Sequence, residues 1–512
     1  MIEQSEATPQ NRPKSRRERR KIEMARRKEE KKAKRLAQKA LREKEALEGA
    51  NKGPKVCSSN AKSPFKTVEE EQAENKNVAN DYLKTMQRLL PGLLKRLSEV
   101  EDYRNPKKIK HKVDVILLFA IFWFVFQKAS RREANREMTT PIFLENMREF
   151  FNDLDCLPHH DTVNRFLSKV NINELENVLF ELIKHFIRSK KFAKYLIGKC
   201  YPVAIDGTQK YAYHFLWAEE CQERKPGGKT QYYCYCLEAA LVFHNGIMLP
   251  LATEVLDYME GDVNSNKQDC ELKAFYRLAA KIKKNFPKLK IMAILDGLYP
   301  NGPLFELCRE YRWQFMIVFP ENCLKSMWKK FNNSQHIAGK MKMTWGNREQ
   351  EFTWLNNVPY NYGNKKQFIH IVVCVEHWDE VGEDGSTIRM ESKHAWISSE
   401  PFTIDNLHER CNLGGRHRWG IETGFLVEKR FGYQYEHTFS FNWNAMKGFH
   451  ILMRIAHMIN TLAQHSSLLK AVFARKGMKA AIKYLDEIFR KTILNPICVM
   501  EDLTQAYQVR LI

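Results

Sequence analysis

The stretch YPVAIDGT, residues 201–208, decides the fold of this sequence. It reads as a short apolar β-strand that ends at Asp206. The same pattern returns in KIMAILDG, residues 290–297, where the apolar run ends at Asp296. Short apolar runs bounded by turn residues are typical of strands buried in a sheet. We therefore predict two strands that each carry a carboxylate at the carboxyl end.

The segments around these two strands predict a mixed sheet. Two apolar, aromatic-rich runs flank the dipeptide Asn245-Gly246, which is the strongest short-range signal for a β-hairpin. A helix, the strand that ends at Asp296, a second helix and the strand QFMIVF (314–319) follow. The order β-β-β-α-β-α-β, with acidic residues at strand ends, is the layout of an RNase H-like α/β domain.

Other patterns define the remaining segments. Apolar residues recur at helical spacing from Val78 to Lys199, short β-branched and aromatic segments follow Pro320, and helical patterning returns at Thr403. The predicted segments are a basic arm and linker (1–77), an all-α DNA-binding region (78–199), the RNase H-like core (200–320 and 403–465), a β-rich insertion (321–402) that interrupts it, and a helical C-terminal region (466–512).

One short helix of the all-α region carries a weak DNA-binding signal. In PHHDTVNRFL, Asp161 stands where an N-cap is expected, just before the first apolar residue of the helix. Helix-turn-helix proteins contain such short capped helices, and capping alone explains the pattern equally well.

Charge favours a polyanionic partner. The 512 residues carry a net charge of +22, and the first 56 residues alone hold 19 Lys or Arg against 9 Asp or Glu. This arm either binds phosphates by releasing their counterions or is a solvated, partly helical extension. The longest apolar run, Val115–Phe126, has 12 residues, whereas about 20 are needed to span a bilayer. We therefore expect a buried helix there and no membrane partner.

Cysteine usage indicates a reducing compartment. The 12 cysteines form no C-x-x-C pair, so we expect neither a zinc site nor a disulfide framework. Together with the charge, this predicts a cytoplasmic, nucleoid-associated protein.

Carboxylates at the ends of neighbouring strands repel each other, and a divalent cation is the usual compensation. Asp206 and Asp296 supply two such groups, so a third is expected from a later element. In RHRWGIETGFLVEKR, Arg418, Glu422 and Lys429 share one face of a helix at 100° per residue. This pattern has two interpretations: a metal ligand between two phosphate-binding cations, or an ordinary helical Arg–Glu pair beside an unrelated Lys.

Taken together, AIDGT, ILDG and the motif R-x3-E-x6-K resemble the DDE transposases of bacterial insertion sequences. The similarity is to the group with the YREK signature, Y-x2-R-x3-E-x6-K, and it spans about residues 201–460, including the β-rich insertion. The resemblance implies metal-dependent cleavage and transfer of DNA strands. The substrate would be double-stranded DNA, namely the terminal inverted repeats of its own element and a target. It also implies a homodimer in the DNA complex.

The resemblance also implies a role for each residue of the site. Asp206, Asp296 and Glu422 would be catalytic and would hold two Mg²⁺ or Mn²⁺ ions, with Asp206 bridging both. Arg418 and Lys429 would hold phosphates of the transposon end.

One position departs from the signature. Gly415 stands where the family has a Tyr that contacts a phosphate of the transposon end, and Arg416 or His417 are candidates to replace that contact. The alternative function is therefore a catalytically decayed, transposase-derived DNA-binding protein or repressor. A nuclease that cuts branched DNA is a third possibility.

Overall fold

A computed structural model describes residues 65–257, 270–381, 386–494 and 509–512, with twelve scattered helical positions between residues 24 and 40. Most of the predicted basic arm and the linker as far as residue 64 lie outside these ranges. The chain divides into two compact units. The main unit comprises Val56–Trp328, Asn357–His370 and Trp396–Ile512, and the insertion unit comprises Met1–Lys55, Lys329–Asn356 and Ile371–Ala395.

Helices precede the sheet, as the helical spacing predicts. The helix α3 is apolar on every side, and from Val115 to Val125 no residue is more than 3% exposed, which confirms the expected buried helix. No helix of the described ranges is long and apolar enough to cross a membrane. The helices are α1 (Val68–Leu89), α2 (Leu93–Ser98), α3 (Val113–Val125), α4 (Arg131–Met138), α5 (Pro141–Arg148), α6 (His160–Leu167) and α7 (Ile172–Arg188).

Two local expectations in this region are wrong. The stretch 68–77, assigned to a linker, is the start of α1, because Thr67 caps the helix and Glu69–Glu71 lie in its first turn, where the helix dipole favours negative charge. The N-cap of α6 is His159, whose Nδ1 accepts from the backbone N–H of Asp161 at 3.2 Å. Asp161 lies in the first turn instead.

Ten strands occur in the described chain. They are β1 (Tyr201–Tyr213), β2 (Gln222–Arg224), β3 (Gln231–Val242), β4 (Met248–Val255), β5 (Ile291–Leu295), β6 (Gln314–Val318), β7 (Gly339–Trp345), β8 (Arg348–Tyr362), β9 (Lys365–Val381) and β10 (Thr387–Ser398). The helices among and after them are α8 (Glu271–Asn285), α9 (Gly302–Tyr311), α10 (Lys325–Asn333), α11 (Trp419–Arg430), α12 (Trp443–Gln464), α13 (Lys470–Lys476) and α14 (Met478–Lys491).

The main unit contains a mixed sheet in the order β2-β3-β1-β5-β6-β10, with β4 also paired to β3. The strands β1, β3 and β4 are antiparallel, whereas β1, β5 and β6 are parallel. The Asn245-Gly246 hairpin joins β3 to β4 as predicted, and Gly246 adopts a φ of +89° that favours glycine. The fold is therefore mixed α/β with helices at both ends.

The insertion unit is rich in strands, in the order β7-β8-β9-β10. Its interior holds the buried carboxylate of Glu376, which pairs with Arg348 at 3.0 Å and accepts a hydrogen bond from Gln350. The sequence pattern did not predict the helix α10, which lies at the start of the segment expected to be β-rich.

Candidate active site

Asp206 and Asp296 lie on neighbouring parallel strands. The register of β1 and β5 pairs Ala204 with Ile294, and an aspartate follows two residues after each of them, Asp206 within β1 and Asp296 directly after β5. The two aspartates are therefore level with each other, on strands about 4.8 Å apart. The two aspartates lie on neighbouring segments of the sheet as predicted. The expectation that the first strand ends at Asp206 is wrong, because pairing with β3 continues and β1 runs on to Tyr213.

Arg418 lies between two of the carboxylates. Its Nη1 is 3.3 Å from Asp206 Oδ2, and its Nη2 donates to Glu422 Oε1 at 2.5 Å. Arg418 ends a 3-10 turn that leads into α11, and Glu422 lies in the first turn of that helix. The side chain of Arg418 is only 9% exposed, so a largely buried guanidinium contacts both carboxylates and offsets part of their charge.

The electrostatics of Asp206 reflect this crowding. The pKa of its carboxyl is raised to about 6. Burial is the largest cause, Arg418 lowers the pKa, and the charges of Asp296 and Glu422 raise it. The three carboxylates therefore interact electrostatically. A bound divalent cation relieves this kind of mutual repulsion.

The donor set fits a hard cation such as Mg²⁺ or Mn²⁺, because every side-chain donor is a carboxylate oxygen. In the part of the chain that the structure describes, these three carboxylates do not all approach within 4.8 Å of one another. The position of Arg418 explains the separation, since its guanidinium lies between Asp206 and Glu422. Closing the carboxylates around a cation requires Arg418 to give up at least one contact.

A different group does meet that distance. His159, His160 and Asp161, at the start of α6, offer ligand atoms within 4.8 Å of one another. His159 and Asp161 are exposed, and His159 already serves as the helix cap. The sequence pattern indicated either helix capping or DNA binding for this segment, and no metal site.

A fourth carboxylate, missed by the sequence analysis, lies beside the site. Glu271, in the first turn of α8, accepts hydrogen bonds from the hydroxyls of Tyr235 at 3.1 Å and Tyr299 at 2.7 Å. A Cβ placed on Gly207 would overlap both Glu271 and Tyr235, so the glycine allows this close approach. No motif marks Glu271, and only the folded arrangement identifies it.

The two other predicted DNA-binding residues, Arg416 and Lys429, flank Glu422 in the chain. Lys429 Nζ donates to the backbone oxygen of Gln209 at 3.1 Å and lies 3.3 Å from Glu436. Arg416 is half-buried in the turn that ends at Arg418. The phosphate contacts of both residues stay predictions.

Gly415 is buried against an indole. A Cβ on this residue would lie 2.8 Å from Trp396 Nε1 and 3.2 Å from Met316 Cε. The place where a signature Tyr side chain would begin is therefore already filled. Burial also lowers the pKa of His417 to about 4, so His417 is neutral at pH 7 and adds no cation for a phosphate.

A buried ion network connects α11 to α12. Arg454 Nη1 donates to both oxygens of Glu428 at 2.9 and 3.0 Å, and His457 Nδ1 lies 2.6 Å from Glu428 Oε1. Glu428 has no exposed surface. Burial alone would raise the pKa of Glu428. Arg454 and His457 instead hold this pKa below its usual value. These ion pairs therefore hold α11, the helix that carries Glu422, against α12.

The same network reaches the strand next to Asp206. Glu238 on β3 is opposite Asp206 in the strand register, and its carboxylate lies 3.5 Å from Arg454 and 3.0 Å from His450. The hydroxyls of Tyr435 and Thr253 also donate to it. The network therefore fixes α11 relative to the strands that hold the site.

A family model described as DDE_Tnp_1-associated matches residues 94–183. This match indicates a DDE-type transposase family. The matched segment runs from α2 to α7, and Asn444 of α12 donates to its Leu167 and Val170 carbonyl oxygens, both at 2.9 Å. Among curated proteins, none matches this chain.

We predict that Arg454→Met destabilises the protein by about 3–5 kcal/mol, because it leaves Glu428 and Glu238 buried without their shared cation. Chemical denaturation measures this loss. Lys447→Met, on the same helix, removes a partly exposed ion pair with Asp257 and should cost no more than about 1 kcal/mol. Equal losses in the two variants would contradict the assigned role of Arg454.

Restoring the signature residue tests the packing at Gly415. Gly415→Tyr should destabilise the fold by about 1–3 kcal/mol, because its side chain overlaps Trp396. In a double-mutant cycle with Trp396→Ala, the double variant should be more stable than the sum of the single effects by about 1 kcal/mol or more. Additive free energies of unfolding would show that Trp396 does not fill the site.

Proposed function

We propose that this protein is a DDE transposase that cleaves DNA and transfers strands at the ends of its own mobile element. The observation that carries the proposal is that Asp206 lies level with Asp296 on neighbouring strands, while Arg418 contacts both Asp206 and Glu422. The family match in residues 94–183 supports it independently, since that segment does not contain any of the three carboxylates.

The sheet supports an RNase H-like assignment of the core. Its strands run in the order β4-β3-β1-β5-β6, with the antiparallel pairs on one side of β1 and the parallel pairs on the other. This order makes the two aspartate-bearing strands neighbours. Membership of the YREK group is supported by Arg418, Glu422 and Lys429, and Gly415 is its one departure.

In the proposed mechanism, Asp206, Asp296 and Glu422 would hold two divalent ions. Bound there, Mg²⁺ or Mn²⁺ would activate a water or a 3′-hydroxyl and stabilise the leaving oxygen of an in-line displacement. Arg418 exchanges a carboxylate contact for a phosphate of the DNA, which matches its expected role. Lys429 and Arg416 add cations beside the same strand.

The proposed partners follow from this chemistry. The substrate is duplex DNA, comprising the terminal inverted repeats and a target, and two chains hold the two ends as a homodimer. The helical region between α1 and α7 is the proposed end-binding part. With DNA as substrate, the protein acts at the nucleoid.

A second candidate is a decayed transposase that binds DNA without cutting it. It is favoured by Gly415, where the neighbouring indole leaves no room for the signature Tyr. This second candidate does not explain why a protein that only binds DNA would keep three carboxylates facing the DNA phosphates.

Cleavage of labelled DNA that carries the ends of the element tests the proposal. We expect cuts at the ends with Mg²⁺, and a loss of at least about 100-fold in rate for Asp206→Asn, because an amide is a much poorer ligand for a hard cation. Asp405→Asn, at an exposed site, makes the same chemical change and should cut normally. Retarded but uncut DNA with all three proteins would support the binding-only candidate instead.

A further inference from the structure

A groove of about 850 Å³ opens at the edge of the main sheet opposite the carboxylates. We call it the basal groove. Its walls are formed by residues just before β1, β5 and β6, by the first residues of β9, and by Ser399 and Glu400. All of them belong to the main unit.

The basal groove is strongly basic. Only two carboxylates line it, those of Glu310 and Glu400. Within the described ranges, none of its exposed cations forms an ion pair, so their charges face solvent without local compensation. These exposed cations are Lys199, Lys288, Lys290, Arg309, Arg312 and Lys366.

Two unused hydrogen-bond donors also line the groove. Trp313 is 4% exposed, and its buried Nε1 has no hydrogen-bond partner in the described part of the chain. The same holds for Nε2 of Gln367. A buried donor without a partner is unfavourable, so an acceptor at this place would stabilise it. Unpaired cations and unpaired donors together favour an anion that carries several acceptor oxygens.

The basal groove is separate from the carboxylate site. Lys290 directly precedes β5 and Asp296 directly follows it. Five strand residues at about 3.3 Å each place the two ends of β5 roughly 17 Å apart. A duplex held at the carboxylates therefore does not occupy the groove with the same phosphates.

We propose that the basal groove binds the phosphate backbone of a second segment of duplex DNA, apart from the segment at the carboxylates. The proposal depends on the proposed function only for the choice of DNA as the polyanion. Each cation that contacts a phosphate releases about 0.9 counterion, so such a surface strengthens binding in proportion to its charge and with a matching salt dependence.

The test compares two triple variants of the full chain. Lys288→Gln/Lys290→Gln/Arg312→Gln removes three groove cations, and Lys470→Gln/Lys479→Gln/Lys483→Gln removes three exposed cations from α13 and α14. Affinity for a labelled duplex is measured by fluorescence anisotropy from low to moderate NaCl. We expect the groove variant to lose at least about tenfold in affinity, and its salt slope to fall by about 2–3. The control variant should keep the wild-type slope.

Three outcomes would overturn the proposal. The groove variant could keep the wild-type salt slope. Both variants could also lose affinity equally, which would show that net charge alone, and not the groove, determines the affinity. The groove variant could also lose binding of inorganic phosphate, measured by calorimetry, while its duplex binding stays intact, which would make the groove a small-anion site. Failure of wild-type protein to cut DNA would contradict the proposed function and leave these binding results unchanged.

Discussion

The arrangement of the site depends on the ion pairs of the buried Arg454 guanidinium. It lies between Glu428 on α11 and Glu238 on β3, and it belongs to α12, against which the N-terminal helices also pack. Two carboxylates and one guanidinium in a water-free interior are stable only while all three remain in contact. The network therefore sets the position of α11, and with it the position of Glu422 relative to Asp206.

The site itself is balanced between attraction and repulsion. Asp206, Asp296 and Glu422 repel one another where burial has removed water, and Arg418 offsets part of that repulsion by contacting two of them. A single guanidinium carries one positive charge against three negative charges. The remaining imbalance is what a divalent cation would neutralise, which explains why these residue types occur together.

Local patterns in the sequence were enough to predict the hairpin and the strand that precedes Asp296, but not the continuation of β1 beyond Asp206. The Asn245-Gly246 hairpin, the buried apolar runs and the Asp residues that follow them depend on contacts within a few residues, or on the parallel neighbours of one sheet. Glu271 and the Trp396 indole beside Gly415 were not predictable, because both reach the site from distant parts of the chain. Asp161 failed as a cap because the competing His159, two residues earlier, makes the hydrogen bond.

The most direct test of the central claim is the binding of Mn²⁺ to the full chain, followed by electron paramagnetic resonance, for wild type, Asp206→Asn and the exposed control Asp405→Asn. The account predicts that wild type and the control bind Mn²⁺ alike, and that Asp206→Asn loses the tightest sites. Any ions held by the His159 cluster cancel in this comparison. Equal stoichiometry and affinity in all three proteins would contradict the claim that these carboxylates form a metal site.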